Sequence, residues 1–291
     1  MSLVQSTESY ENLLLCKHVE TSVFDYYINM KDIAYKNTLL CYNNVTIYEA
    51  EWRYERVCVK EVDTDDDIPN ELLILSKCIH PKIVQFLGFH RGTTRTSILF
   101  EYMENGNLQE YITQNRNMLT NQHKLNIMLD ISKALHYLHN RYPEIVLHRD
   151  MKPSNILINK HGEAKLSDFG ISKMVKKKNS YDYNSHSSEK GTYIWMSPEV
   201  LSGNHYNCST DLYSFGLIMY FIWTGILPFS ELELNTVQLM FKKNQGNLQL
   251  KELADSDELN RLIQQCVLYQ STNRPNTQTI ITKLLQIIEQ L

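Results

Sequence analysis

Several protein classes are ruled out by what is missing from this chain. Its six cysteines, Cys16, Cys41, Cys58, Cys78, Cys208 and Cys266, form no C-x-x-C pair, and no histidine cluster stands at zinc-ligand spacing. A structural zinc site or dithiol redox centre therefore has no ligands. Free, buried thiols in a reducing compartment are expected instead. No apolar run approaches the roughly 20 residues needed to cross a bilayer. The most apolar stretch, Leu212 to Trp223, is interrupted by Ser214 and Gly216 and predicts a buried core helix. The first fifteen residues have no basic segment ahead of a long apolar core, so no secretory signal is expected and the expected location is cytoplasmic. Basic excess is missing too: 29 Lys and Arg face 33 Asp and Glu, a formal net charge of -4, which argues against a nucleic-acid-binding face. There is no internal repeat. The sequons at Asn44-Val45-Thr46 and Asn207-Cys208-Ser209 carry no meaning in a cytoplasmic chain.

What is present is an ordinary globular composition, 43% hydrophobic and 21% charged. At 291 residues it suits one two-lobed domain or two small ones. One stretch organises the rest: His148-Arg149-Asp150-Met151-Lys152-Pro153-Ser154-Asn155. It sets an acid, a lysine and an amide within six positions, and a second acid follows in Asp168-Phe169-Gly170. Two acids and an amide at such offsets suit the holding of a metal-bound triphosphate against a hydroxyl. HRDMKPSN followed by SDFG resembles the catalytic loop and metal loop of eukaryotic-type protein kinases.

The flanking chain can be read in the same terms. Residues 1–30 match no motif. Glu11 to Tyr27 has roughly helical apolar spacing, which predicts an extension packed on the following lobe. Thr38–Tyr42, Val45–Tyr48 and Arg56–Lys60 are β-branched and aromatic runs, with Asn43-Asn44 between the first two, and predict an antiparallel meander. Val57-Cys58-Val59-Lys60 resembles the kinase V-A-I-K strand, which implies that Lys60 holds the α and β phosphates and that Cys58 roofs the adenine. The family's glycine-rich loop should precede that strand. Aligned on Thr46-Ile47-Tyr48, its three glycines fall on Leu40, Tyr42 and Val45. Glycine there lets backbone N–H groups approach phosphate, so bulky replacements are expected to weaken nucleotide binding or reshape the loop. Leu39 and Ile47 fall at nucleotide-contacting positions of the same alignment.

The acidic run Asp63–Asp67 reads as a solvated loop. Pro69 and the spacing of Leu72, Leu73, Leu75 and Cys78 predict a helix. Glu71 on it, placed ahead of His80-Pro81-Lys82-Ile83-Val84, implies an ion pair with Lys60. Ser97–Met103 predicts a buried strand leading into a turn at Glu104–Asn107, similar to the hinge between kinase lobes. By that resemblance Glu101 and Met103 offer backbone groups to adenine, and Phe100 lies behind it. Leu125–Leu138 predicts a long core helix, and Ile280 to Ile288 an amphipathic closing helix.

The resemblance implies a role for each remaining motif residue. Asp150 is the base for the substrate hydroxyl, Lys152 neutralises the transferring phosphoryl group, and Asn155 and Asp168 hold magnesium through oxygen. Leu157 lies under the adenine. Residues 171–190 form a polar, mobile activation segment. Ser180, Tyr181, Tyr183, Ser185, Ser187 and Ser188 are its candidate acceptors for an upstream kinase or autophosphorylation, with Arg149 set to pair with the added phosphate. Gly191–Glu199 resembles the peptide-docking GTxxWMAPE segment, with Ser197 for the usual alanine; Thr192 there bonds Asp150 and Lys152. Asp211–Gly216 matches the D-x-x-S-F-G start of the central helix, and Arg274 is set against Glu199, since either one buried alone is expensive.

The expected fold is α+β and bilobal. An N-terminal extension covers 1–30 and a protein kinase domain 31–291. The N-lobe, about 31–103, is a small antiparallel sheet with one helix, and the C-lobe, about 104–291, is larger and mainly helical. Trp52, HPKIVQFLG and GTYIWMSPE resemble the tyrosine-kinase-like group, which has serine/threonine specificity. The glycine-free LLCYNNVTIY resembles the mixed-lineage-domain-like pseudokinases. The expected activity is ATP- and magnesium-dependent transfer to serine or threonine hydroxyls of protein substrates. The alternative is a pseudokinase scaffold, with weak or no ATP binding, that signals through partners.

Overall fold

The computed structural model describes residues 26–42, 44–63, 70–176, 192–203, 206–253 and 256–291. The helical pattern of residues 11–25, the acidic run after Asp63 and every candidate phosphoacceptor therefore lie outside the described residues. The chain divides into two compact units, one made of residues up to Ile79 together with Gln85–Tyr102, the other of His80–Val84 and Met103–Leu291. His80–Val84 joins the second unit because Val84 N donates to Leu166 O and Leu166 N to Lys82 O, both at 2.9 Å.

The first unit is an antiparallel sheet of five strands in the order β1-β2-β3-β5-β4. The strands are β1 (Ile33–Tyr42), β2 (Val45–Trp52), β3 (Glu55–Asp63), β4 (Phe86–Arg91) and β5 (Arg95–Glu101). Helix α1 (Asn70–Leu75) accompanies the sheet. Alternation makes β3 two-faced: Val57 and Val59 are fully buried in a core with Ile28, Ile33, Ala50 and Leu99, whereas Cys58 and Lys60 point the other way. The β2–β3 hairpin is tighter than its sequence suggests. Trp52 pairs with Glu55, so only Arg53 and Tyr54 make the turn, at φ of 53° and 67°. Such two-residue turns usually use Asn or Gly. Here the Arg53 guanidinium stacks on the Trp52 ring at 4.5 Å. Ile28 N donates to Phe89 O, which lays the chain before β1 against β4. Gly88 is required for that approach: a Cβ there would sit 2.7 Å from the Tyr26 carbonyl oxygen and from Ile28 Cγ2.

The second unit is mainly helical. Its helices are α2 (Leu108–Asn115), α3 (Asn121–His139), α4 (Pro198–Leu201), α5 (Cys208–Thr224), α6 (Thr236–Asn244), α7 (Asp257–Cys266) and α8 (Thr277–Glu289). Side chains of Asn107, Thr120, Asn207, Asn235 and Asn276 cap five of them by accepting early backbone N–H groups. Every residue from Thr210 to Trp223 of α5 is buried, as its all-round apolar pattern predicts. Gly216 lets α7 close on it: a Cβ would lie 2.6 Å from Cys266 Cβ. In α3, Ile127, Met128, Ile131, Leu135 and Leu138 are buried as expected. In α8, Leu285 is 41% exposed, so the buried stripe is narrower than its apolar content suggests.

Two small antiparallel pairs complete this unit, β6 (Glu144–Leu147) with β9 (Lys173–Lys176) and β7 (Ile156–Ile158) with β8 (Ala164–Leu166). The strand β9 corrects the reading of 171–190 as loop throughout. Its first residues pair with β6, a partner about 30 positions away that local polarity does not reveal. The five described cysteines are free, but Cys41 is exposed on β1 rather than buried. Among the described residues no helix is long and apolar enough to cross a membrane.

Candidate active site

Strand β6 leads into His148, whose side chain is wholly buried and organises the loop that follows. Its Nδ1 faces the Asp150 N–H at 3.3 Å and its Nε2 faces the Ser167 carbonyl at 2.9 Å. In that pattern Nδ1 accepts and Nε2 donates. The ring packs edge-on against Phe169, with centroids 5.1 Å apart. One imidazole thus ties the Asp150 loop to the Asp168 loop.

Beneath it lies a carboxylate whose part the sequence did not reveal. Asp211, in the first turn of α5 and 1% exposed, accepts from His148 N at 3.0 Å, Arg149 N at 2.9 Å and His139 Nε2 at 2.8 Å. Burial opposes the charge on His139, but the Asp211 hydrogen bond, with the Cys208 side chain adding to it, raises its pKa to about 10. Burial likewise opposes ionisation of Asp211, and the hydrogen bond from His139 overcomes it and holds its carboxyl below the usual range. Arg149 has φ of 70° and Asp168 φ of 59°, both left-handed without being glycine. Such backbone costs on the order of 1–3 kcal/mol and persists where its surroundings over-determine it, as the two N–H bonds to Asp211 do for Arg149. The Arg149 guanidinium lies over the Tyr206 ring at 4.6 Å.

The functional side chains converge on Asp150. Lys152 Nζ lies 2.9 Å from Asp150 Oδ2. Asn155 Nδ2 donates to the same oxygen at 2.8 Å and to the Asp150 carbonyl at 2.9 Å. Both contacts to the carboxylate fall on Oδ2, so Oδ1 has no protein partner among the described residues. Asn155 gives both amide hydrogens to Asp150, which turns its own Oδ1 outward as an acceptor. Ser167, the neighbour of Asp168, donates to the Asn155 carbonyl through both N and Oγ at 2.9 Å, drawing the two loops together. An amide oxygen and a carboxylate are a hard-oxygen pair of the kind magnesium takes alongside phosphate oxygens. Thr192 is buried and lines a small cavity together with Asp150, Met151, Trp195 and Met196, but among the described residues it makes none of the expected hydrogen bonds to Asp150 or Lys152; its carbonyl accepts from Trp195 N instead. Leu157, half-buried on β7, bridges to Asn107, and Met103 is buried with its carbonyl bonded to Gly106 N.

In the other unit, Lys60 Nζ contacts both carboxylate oxygens of Glu71 at 2.9 Å, and Glu71 is 5% exposed. The ion pair inferred from the two motifs is present. Cys58 lies two residues earlier on the same face, and burial pushes its thiol up to about 11. Ile47 is opposite Lys60 on β3 and Leu40 on β1. Leu39 sits in a register shift between Thr38 and Leu40 and is 48% exposed. The glycine-free segment continues β1 as far as Tyr42, and none of its described residues has positive φ. Glu101 is fastened at both ends, its N donating to Gln85 O at 3.0 Å and its Oε1 accepting from Gln85 N at 2.7 Å.

Away from these groups, Arg274 meets Glu199 in a two-point ion pair at 2.6 and 2.9 Å and also donates to the carbonyls of Leu268, Ser209 and Tyr269. The pairing inferred from sequence is therefore present and fully hydrogen-bonded.

Residues 45–285 match the family model described as a protein kinase domain. Over 197 residues the chain is 36% identical to serine/threonine-protein kinase VIK of Arabidopsis thaliana, covering 64% of this chain and 44% of that protein. Serine/threonine-protein kinase STY17 of the same plant is 26% identical over 97% of this chain and 49% of its own length. Serine/threonine-protein kinase CTR1, also from Arabidopsis thaliana, is 33% identical over 84% of this chain and 30% of its own length. The chain thus spans less than half the length of each of these relatives.

Proposed function

This chain belongs to the protein kinase domain family, and from that premise we propose that it transfers the γ-phosphate of ATP to serine or threonine hydroxyls of a protein substrate. The observation that carries this reading is the environment of Asp150. One carboxylate oxygen is held by Lys152 and Asn155, and the other is left to receive a proton. A positioned base of this kind contributes about 10²–10⁴-fold to rate. Lys152, at 2.9 Å, stabilises the negative charge that gathers as the hydroxyl attacks. The serine/threonine names of the relatives support the choice of acceptor.

The remaining roles follow from the chemistry of each side chain. Asn155 Oδ1 and the Asp168 carboxylate would hold magnesium, which when bound neutralises charge on the β and γ phosphates. On the first unit, Glu71 orients the Lys60 ammonium for the α and β phosphates. Leu39, Ile47 and Cys58 there, and Leu157 on the second unit, offer apolar surface to adenine, while Glu101 and Met103 offer backbone groups. Thr192, beside Asp150, positions the loop. The proposed setting is the cytoplasm, where ATP and magnesium are abundant. An upstream kinase, or the chain itself, would act on 171–190.

The decisive measurement is phosphate transfer from magnesium-ATP to a generic protein substrate by the wild type beside Asp150→Asn. Transfer by the wild type alone supports the reading, and equal labelling by both sinks it. The segment holding Leu40, Tyr42 and Val45 favours a second reading, a partner-binding scaffold, because side chains stand where the family has glycine. A thermal-shift titration separates the two. Millimolar magnesium-ATP must stabilise a protein that binds it, by about 2.7 kcal/mol at a hundredfold excess over Kd, and no shift would favour the scaffold.

A further inference from the structure

The last turn of α6 carries Lys242 and Lys243 side by side, one exposed and the other only 1% exposed. Among the described residues no carboxylate faces the Lys243 ammonium. It is met by three backbone carbonyls instead: Ile194 O at 2.5 Å, Met196 O at 2.9 Å and Tyr193 O at 3.3 Å. The rings of Tyr213 and Phe229 face it at 5.3 and 5.4 Å. The carbonyl missing from that set, Trp195 O, accepts from Ser214 Oγ of α5 at 2.7 Å. Four consecutive carbonyls, 193 to 196, are thus turned inward and held from below by two side chains.

An ammonium has three N–H donors, and this one uses all three. Burying a charge without a counter-ion is expensive, and an apolar side chain of similar size would avoid the penalty. The arrangement therefore calls for a reason other than stability. Its location supplies one. Thr192, Trp195 and Met196 line the cavity that Asp150 also lines, so the strip held by Lys243 borders the base.

We propose that Lys243 is a positioning residue for the protein substrate, fixing the backbone of Tyr193–Met196 beside Asp150 through its three carbonyl contacts. The inference rests on the kinase reading above. Burial brings the pKa of Lys243 down to about 7. A neutral amine keeps only two N–H donors, so one carbonyl is released as the pH rises through neutrality. The packed elements also carry the phenols of Tyr193, Tyr213 and Tyr220, the Asp211 carboxylate taken up by His139 and the backbone of His148 and Arg149, Arg274 stacked on Tyr213 at 4.9 Å, and Glu199 paired with Arg274. None of them supplies Lys243 with a counter-ion.

The test uses Lys243→Met, which removes every donor, and Lys243→Gln, which keeps two and serves if the methionine variant does not fold. Amide hydrogen exchange of residues 192–197 reads the grip without catalysis. It should quicken about tenfold in Lys243→Met and less in Lys243→Gln. With myelin basic protein as probe, KM for the protein should rise about fivefold or more while KM for ATP stays within about twofold. Between pH 6.5 and 8.5 the wild-type protein KM should climb toward that of Lys243→Met, whose own KM stays flat. Unchanged exchange overturns the proposal. So does faster exchange with an unchanged protein KM, or a rise shared equally by ATP. If the wild type transfers no phosphate, the kinase reading falls, and the exchange comparison alone decides whether Lys243 grips the strip.

Discussion

Asn155 donates both of its side-chain hydrogens to Asp150, at 2.9 Å to the carbonyl and 2.8 Å to the carboxylate. The amide is therefore fixed in one orientation, and the proposed magnesium ligand and the proposed base are held by the same two bonds. Asn155→Ala should lower kcat by about a hundredfold. It should also lower stability by about 1–3 kcal/mol, because two hydrogen bonds are lost at a 6% exposed site. Steady-state kinetics and urea denaturation check the two halves. Intact kcat in the alanine variant would refute the shared role.

Lys60 and Glu71 form the other nearly buried pair, with side-chain exposures of 15% and 6%. Lys60→Ala takes the ammonium away from both oxygens of the buried Glu71 carboxylate and should cost about 3–5 kcal/mol, whereas Lys60→Met with Glu71→Leu should cost much less. Both changes should raise KM for ATP. A double-mutant cycle in urea, with coupling below about 0.5 kcal/mol, would show that the pair is not interacting in solution.

Arg274 has no exposed side-chain surface and satisfies Glu199 and three carbonyls. Arg274→Leu strands the Glu199 carboxylate and should destabilise by about 3–5 kcal/mol. Adding Glu199→Gln should recover part of that loss. Denaturation midpoints of the two variants decide; a double variant no better than the single one would contradict the assigned pairing.

Two buried bases should give opposite pH dependences. His139 is raised to about 10 by Asp211, so its contribution to stability is complete below its unfolded pKa, near 6.5, and is lost as pH rises through 10. Lys243 is lowered to about 7 from 10.5, so its penalty is complete below 7 and fades as pH rises toward 10.5. The two slopes largely cancel in the wild type between pH 7 and 10. Lys243→Met should unmask a fall in Tm across that window, and His139→Gln a rise. Parallel pH curves for all three proteins would contradict both assignments.

Much of the fold can be read directly from the residues. The helical register of α3, the all-round apolar run of α5 and the alternation in β3 are local patterns with one physical solution each. The kinase resemblance also implied the pairs Lys60–Glu71 and Arg274–Glu199, and for the second the cost of a buried, unpaired charge supplies the reason. Other features left no local trace. Arg53-Tyr54 makes a turn that ordinarily calls for Asn or Gly, and β9 exists only because β6 lies beside it. Leu40 and Tyr42, in glycine's place, extend a strand rather than breaking it.

Residue order by itself determined the chemistry on offer: an acid, a lysine and an amide in one loop, a second acid in the next, and no glycine ahead of Val57-Cys58-Val59-Lys60. Tertiary structure decided what holds that chemistry in place. Asp211 reaches the backbone of His148 from 63 positions away, and Lys243 reaches Ile194 from 49. Neither separation has a period or spacing that could announce it. A hydrogen bond between distant residues depends on how helices pack, and packing is settled by shape and burial across the whole unit rather than by any stretch of the chain.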